Sequence, residues 1–319
     1  YNTPIDAKRT VNDLLREGFD AVFIAAGAQS SKQVGIPGEE LELEGLFYGL
    51  QFLTDIRLGK KIELAGKVVV IGGGNVAFDT ARTALRVGAQ DVHIYYRRGI
   101  EEMPAWEKDI EEAIEEGVII NPFWSPGRII HEMGKVTGIE FIGSKAVLEP
   151  DGTSYIKVEK ERTLKVDADT IIISIGQAPD SSFVSEESQL ERSLWGSLEV
   201  DSNTLTTNVD GIFAGGDYIT GPTTVISAIA SGRRAAIAID KYLMGAKGPI
   251  MIIDEKTQFE EAAGLALDEE TTEEKPRIQI EIENPVARTR DFREVEKGFN
   301  EEQARKEAGR CLRCDLEEK

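Results

Sequence analysis

Lys67-Val-Val-Val-Ile-Gly72-Gly-Gly74-Asn-Val-Ala77 is the stretch that decides how this 319-residue chain folds. Residues 68–71 are an unbroken β-branched run, the pattern of a strand buried on both faces. The run ends in Gly-x-Gly-x-x-Ala, and a helical pattern follows to about Val87, with Gly88 as its C-cap. Asp91 to Tyr96 reads as the next strand, so 67–96 has the order and length of one β-α-β unit. Strand before and helix after are the context that gives a short glycine pattern meaning. Gly72 permits the tight turn, Gly74 lets backbone approach a pyrophosphate, and the small Ala77 lets helix and strand close up. The helix start, with Asn75 and Val76, offers free N–H groups and a positive dipole end to phosphates. The competing reading is a glycine-rich turn with no ligand.

Outward from that unit, residues 11–18 read as a short helix. Residues 20–27 read as a buried strand ending in small residues, Ala25-Ala26-Gly27. A polar loop with Gly35-Ile-Pro-Gly38 follows, then a helical stretch over 46–58 and a linker at Gly59. On the other side come a helix over about 104–116, capped by Gly117, and a strand at 118–123. From 124 to 168 short alternating strands are separated by Pro126-Gly127, Gly134, Gly143 and Asp151-Gly152, which is a β-meander. Residues 170–175 return to a buried strand ending in Gly176-Gln-Ala-Pro179. Strand-like pieces at 198–200 and 205–207 precede Gly211-Ile-Phe-Ala-Gly-Gly216-Asp217 and a long helix over 224–244. Residues 246–319 are acidic. They hold a linker near 260–277, an extended stretch at 277–282 and a closing helix that starts in a capping-box pattern, Asn300-Glu-Glu-Gln303.

The end of the second strand separates two cofactors. Readers of NAD place an Asp or Glu there for the ribose 2′-hydroxyl. Here the strand runs Ile94-Tyr-Tyr-Arg97-Arg98. Two guanidinium forks suit a 2′-phosphate, so NADP(H) is favoured over NAD(H). The alternative is a solvated arginine pair on an acidic surface. At the second glycine-rich turn, Gly216 and Asp217 are placed for a flavin: Asp217 accepts from a polyol hydroxyl, and Thr223, Thr224 and Val225 open a helix whose dipole faces a negatively charged ring edge. Asp217 as an ordinary helix N-cap is the bland alternative.

Composition closes other routes. With 57 acidic against 37 basic residues the formal charge is −20, which repels a nucleic-acid backbone and an anionic membrane alike. No apolar run approaches the ~20 residues of a membrane-spanning helix, and no signal peptide is visible. The two cysteines, Cys311 and Cys314, make no disulfide framework, and the expectation is a reduced, cytoplasmic protein. Their C-x-x-C spacing leaves cluster ligands, a zinc half-site or a free thiol pair open. Residues 67–176 contain no cysteine, which sets aside a redox-disulfide reaction in the nucleotide unit. His93 and His131 read as structural, Met103 and Trp106 as packing, and no Ser/His/Asp set points to hydrolysis.

Three signals stand in order: Ala25-Ala-Gly27, Gly-x-Gly-x-x-Ala, and Gly216-Asp217. With Ile36-Pro-Gly-Glu-Glu40, Gly73-Gly-Asn-Val-Ala-Phe-Asp79, Tyr96-Arg-Arg98, Glu102-Met-Pro-Ala105 and Thr224-Val225 they resemble the small subunit of bacterial NADPH-dependent glutamate synthase and related flavoproteins with two dinucleotide-binding domains. The match covers about 1–245. It implies an α/β fold of two Rossmann-like units, an NADP domain with its meander inserted into an FAD domain. The expected division is 1–60 and 177–245 for the two FAD parts, 61–176 for the NADP part, and 246–319 for an acidic extension with C-x-x-C. By this resemblance Gly72, Gly74, Asn75, Val76, Ala77, Arg97, Arg98 and Gly176 would hold NADP(H), and Ala26, Gly27, Gly216, Asp217, Thr223, Thr224 and Val225 would line FAD. No catalytic side chain is expected, because the flavin carries the chemistry. Electrons would leave through iron–sulfur clusters, a ferredoxin or partner subunits of a redox complex, an electron-bifurcating one included, and a [4Fe–4S] cluster at Cys311 and Cys314 would need ligands from elsewhere. Two departures stand out. The family's first Gly-x-Gly-x-x-Gly, for the FAD pyrophosphate, is not in these residues, and Ala26 stands where many relatives have Thr. The expectation is a fragment opening at Tyr1, or a chain whose other half is separate. The competing function is a docking subunit with a retained nucleotide site that does not turn over.

Overall fold

The computed structural model describes residues 2–6, 8–148, 154–185, 188–193, 196–245 and 276–310. They fall into two units, Tyr1–Ile250 and Met251–Lys319. The first runs α1 (Val11–Arg16), β1 (Val22–Ile24), β2 (Ser30–Ser31), β3 (Leu46–Tyr48), α2 (Gly49–Arg57), β4 (Lys67–Ile71), α3 (Asn75–Arg86), β5 (Asp91–Tyr96), a 3₁₀ turn (Ile100–Glu102) and α4 (Glu107–Glu115). It continues with β6 (Ile119–Pro122), β7 (Trp124–Glu132), β8 (Lys135–Leu148), β9 (Ser154–Asp167), β10 (Thr170–Ile173), β11 (Gln177–Ala178), β12 (Ile212–Ala214), α5 (Asp217–Thr220) and α6 (Val225–Met244).

Val68 to Ile71 are buried because their strand carries a layer on each face. Val68 and Val70 join Phe52, Phe78, Ala81 and Ala113 under α2, α3 and α4. Val69 and Ile71 face the other way and pack with Ile129, Ile139 and Phe141 of the antiparallel sheet β7-β8-β9. Tyr95 of β5 stacks on Phe141, ring centroids 4.1 Å apart. The meander is thus the second cover of the parallel sheet.

That sheet has the order β3-β10-β4-β5-β6, all parallel. From β4 the chain moves one way through α3 and α4 to β6. It then returns to the opposite side of β4 as β10. The strand order thus reverses between β4 and β10, the switch point at whose carboxyl edge such sheets bind ligands. A smaller sheet pairs β1 parallel to β12, Val22 with Ile212 and Ile24 with Ala214. Val11, Ile24, Val184, Ile212 and Tyr218 form its core. The two-residue strands β2 and β11 pair antiparallel and link the two regions.

Several elements differ from the sequence expectation. Leu46–Tyr48 is a strand and not the first turn of a helix. Leu46 and Tyr48 pack toward the meander and Phe47 toward the helices, a period of two that three residues cannot advertise. The helix expected from 104 starts at Glu107, after Ala105 N donates to the Gly73 carbonyl at 3.3 Å. Residues 198–200 and 205–207 form no strands, only isolated bridges at Leu198 and Thr206. Asp151-Gly152 lies outside the described residues.

In the second unit, α7 (Pro285–Arg288) and α8 (Glu301–Ala308) are described. Asn300 and Gln303 form the expected capping box of α8. Cys311, Cys314 and nearly all of the expected linker lie outside the described residues. Among the described residues no helix is long and apolar enough to cross a membrane.

Candidate functional site

Three loops meet at the carboxyl edge of the five-stranded sheet: Gly72-Ala77 after β4, Arg97-Arg98 after β5, and Gly176 after β10. Gly72 has φ +149°, and a Cβ there would lie 2.2 Å from the Ser174 carbonyl oxygen. Only glycine lets β4 turn against β10 so closely. Gly74 is the N-cap of α3, in extended conformation and with no side-chain cap. A Cβ on Gly74 meets nothing nearer than Pro104 Cγ at 3.8 Å, so the space over the helix start is open. The uncapped first turn, with Asn75 and Val76, is a cradle for phosphate oxygens. Ala77 is fully buried against the sheet, as its small size requires.

Gly73, which the motif leaves free, is also constrained. A Cβ there would lie 2.5 Å from the Tyr96 ring, whose hydroxyl donates to the Glu102 carbonyl at 3.1 Å. Asn75 turns away from a purely ligand role: its Oδ1 accepts from Trp106 N at 3.0 Å and ties the glycine loop to the Glu102-Met-Pro-Ala105 segment. Met103 is buried, as a packing residue should be, whereas Trp106 is 70% exposed and does not pack.

Arg97 is exposed and Arg98 half-buried. Arg98 Nε is buried without a hydrogen-bond partner. A buried guanidinium N–H left unsatisfied is costly, and an anionic acceptor relieves it. Open N–H groups at α3, room at Gly74 and this orphaned donor fit a dinucleotide with an added phosphate. Gly176 has φ +130°, and its carbonyl accepts from Lys32 N at 3.0 Å, where the chain crosses to the other region.

The second edge is built by β1 and β12. Their parallel pairing brings Ala26-Gly27 beside Gly216-Asp217, with Gly215 N donating to the Ile24 carbonyl at 3.0 Å. Gly27 and Gly216 have φ +70° and +63°, and a Cβ on Gly216 meets nothing within 4 Å. Asp217 Oδ1 accepts from Thr223 N at 3.0 Å and Thr223 Oγ1 at 2.7 Å, which folds the turn before α6. Asp217 does not cap α6. Thr224 does, its side chain accepting from Ser227 N at 3.3 Å. Ser231, missed by sequence reasoning, is buried and accepts from Gly216 N at 2.8 Å. Val225 is 78% exposed. The edge offers a carboxylate, an open glycine turn and a helix start, which fit one part of an FAD molecule. Among the described residues no group of three or more His, Cys, Asp or Glu is arranged to hold a metal ion.

His93 is structural. Asn121 Nδ2 donates to its Nδ1 at 3.2 Å, which leaves Nε2 to donate to Asp91 at 2.9 Å. Burial, then Lys67, pushes its pKa down, and Asp91 only partly opposes them.

The model of the pyridine nucleotide-disulphide oxidoreductase family matches residues 4–121 and 125–232. This chain belongs to that family. Among its relatives is NADP(+)-dependent formate dehydrogenase subunit beta of Moorella thermoacetica, 40% identical over 98% of this chain and 45% of that one. The glutamate synthase [NADPH] small chain of Azospirillum brasilense is 34% identical over 76% of this chain and 52% of its own, which bears out the resemblance read from the motifs. The chain spans about half the length of the curated relatives it matches. Mycobacterium tuberculosis FprA in complex with NADPH has the same fold, with a TM-score of 0.64 and 20% identity over 77% of this chain and 68% of that one.

Proposed function

We propose that this chain is the NADPH-binding and part of the flavin-binding region of an oxidoreductase that passes electrons from NADPH through FAD to iron–sulfur clusters or a partner subunit. The observation that carries the proposal is the carboxyl edge itself. One open helix start, two arginines and one orphaned buried guanidinium N–H converge there. Gly72 and Gly74 would bring backbone to the pyrophosphate, Asn75 and Val76 would give it the α3 dipole, and Arg97 with Arg98 would hold the 2′-phosphate. Gly27, Gly216 and Asp217 would hold one end of FAD, and Thr223, Thr224 and Val225 would set the α6 N-terminus against it. When bound, FAD supplies a two-electron acceptor that can release electrons singly. Cys311 and Cys314 would ligate a cluster together with groups from other segments. Relatives named as a beta subunit and a small chain support a place beside partner subunits. The complex we propose is a cytoplasmic redox one, ferredoxin-linked or electron-bifurcating complexes included.

A docking role is favoured by one observation. Val225, Ile226 and Ile229 of α6 are 78%, 75% and 63% exposed beside the flavin edge. Such an apolar face is what a docking partner would cover, and it leaves the nucleotide site proposed above untouched.

Substitution decides the nucleotide assignment. Arg97→Ser combined with Arg98→Ser should weaken NADPH roughly a hundredfold and leave NADH within about threefold, since two charge-assisted contacts go. Equal loss for both nucleotides contradicts the 2′-phosphate assignment.

A further inference from the structure

Both carbonyls of the arginine pair are held from outside their own strand. Phe123, just after β6, has φ +65° and donates its N–H to the Arg98 carbonyl at 3.1 Å. Ser144 of β8 is fully buried, and its Oγ donates to the Arg97 carbonyl at 2.8 Å. The Ser144 N–H donates to the Phe123 carbonyl at 2.9 Å, so the two holding residues are themselves joined.

A third group closes the arrangement. Between Ile142 and Gly143, β9 slips from Thr163 to Glu159, a bulge that takes Arg162 out of the ladder. Arg162 lies along the space that Gly143 leaves, where a Cβ would stand 2.7 Å from its Nε. Its guanidinium sits 4.3 Å over the Trp124 ring, and its Nη2 donates to the Phe123 carbonyl at 2.9 Å. Glu159 holds Nη1 at 3.0 Å.

We infer that Ser144, Phe123 and Arg162 are positioning residues that set the preference for a 2′-phosphate. They act through the backbone of Arg97 and Arg98 and touch no nucleotide themselves. Long arginine side chains lose entropy on binding, and a fixed backbone lowers that cost. The meander would then tune nucleotide choice as well as cover the sheet. This inference rests on the reading of Arg97 and Arg98 as the 2′-phosphate site.

The test titrates the intact assembly with 2′,5′-ADP and with 5′-AMP, which differ only in the phosphate at issue. Four variants enter: Ser144→Ala, Ser144→Thr, Arg162→Gln and the Arg97→Ser/Arg98→Ser pair. Loss of one positioning hydrogen bond should weaken 2′,5′-ADP about fivefold in S144A and in R162Q, with 5′-AMP within about twofold. S144T keeps the hydroxyl and should restore most of the loss. If S144A is not recovered folded, R162Q carries the test, because Arg162 is on the surface. The inference is overturned if both ligands weaken alike, or if preference is unchanged in S144A and R162Q while the double arginine variant abolishes it. If the double arginine variant keeps its preference, the 2′-phosphate reading itself falls, and this inference with it.

Discussion

Gly72 and Gly74 look interchangeable in the motif, but their surroundings give them different work. At Gly72 a side chain meets both a positive φ and the Ser174 carbonyl at 2.2 Å. Gly72→Ala should therefore cost more than about 2 kcal/mol of stability. Gly74 has φ −94° and open space around it, so Gly74→Ala should melt within a few degrees of the parent. Its methyl would stand where the proposed site takes the pyrophosphate, and NADPH affinity should fall about tenfold. Melting curves beside nucleotide titrations check the pair, and a destabilised G74A with unchanged affinity contradicts it. At this scale much of the site was legible. Gly72, Gly74, Ala77 and the arginines follow from a local pattern. Gly73 and Ser231 do not, because the Tyr96 ring and the Gly216 N–H that constrain them come from distant parts of the chain.

α3 and α4 are joined at their far ends by charge. Arg82 bridges Glu112 and Glu116, and Arg86 holds the other Glu116 oxygen, each at 2.7 Å. The Glu116 side chain is fully buried. Burial opposes its charge, yet hydrogen bonds from Arg86 and Arg82 outweigh burial and hold the carboxyl down at about 2, against an ordinary 4.5. A depressed folded value means stability present above 4.5 and lost as pH falls from there toward 2. Glu116→Gln should cost about 3 kcal/mol in urea unfolding at neutral pH, since Arg86 loses its carboxylate and Arg82 keeps only Glu112. The same variant should show a flatter loss of stability over the acid window, and an unchanged acid limb contradicts this account. Element types were legible where runs are long, as in β4, α3 and α6. They were not at Leu46–Tyr48, where a three-residue edge strand leads straight into a helix and leaves no separate period to read. A polar loop was legible at residues 35–38, but its organiser was not: Glu39 is buried and accepts from Val34, Gly35 and Ile36 N–H at 3.0, 2.6 and 3.3 Å and from the Tyr48 hydroxyl at 3.2 Å. Burial, then Glu39, pushes the Tyr48 pKa up.

For the molecule as a whole, the β-α-β pattern and the presence of a meander were readable, but Pro126-Gly127 and Gly143 do not separate short strands: they lie at register shifts inside β7 and β8. That the meander is the second face of the parallel sheet was not readable, since Tyr95 on Phe141 is a long-range contact. The net charge of −20 frames the site: two arginines at one carboxyl edge are a local concentration of positive charge in a field that otherwise repels anions. We propose that this edge takes NADPH and that its electrons pass to a flavin. This is tested most directly by anaerobic absorbance of the intact assembly, titrated with NADPH and, separately, with NADH. Flavin bands should bleach at stoichiometric NADPH and stay nearly unchanged with equal NADH. A preparation without flavin, or flavin bands that NADPH leaves intact, would contradict the proposal.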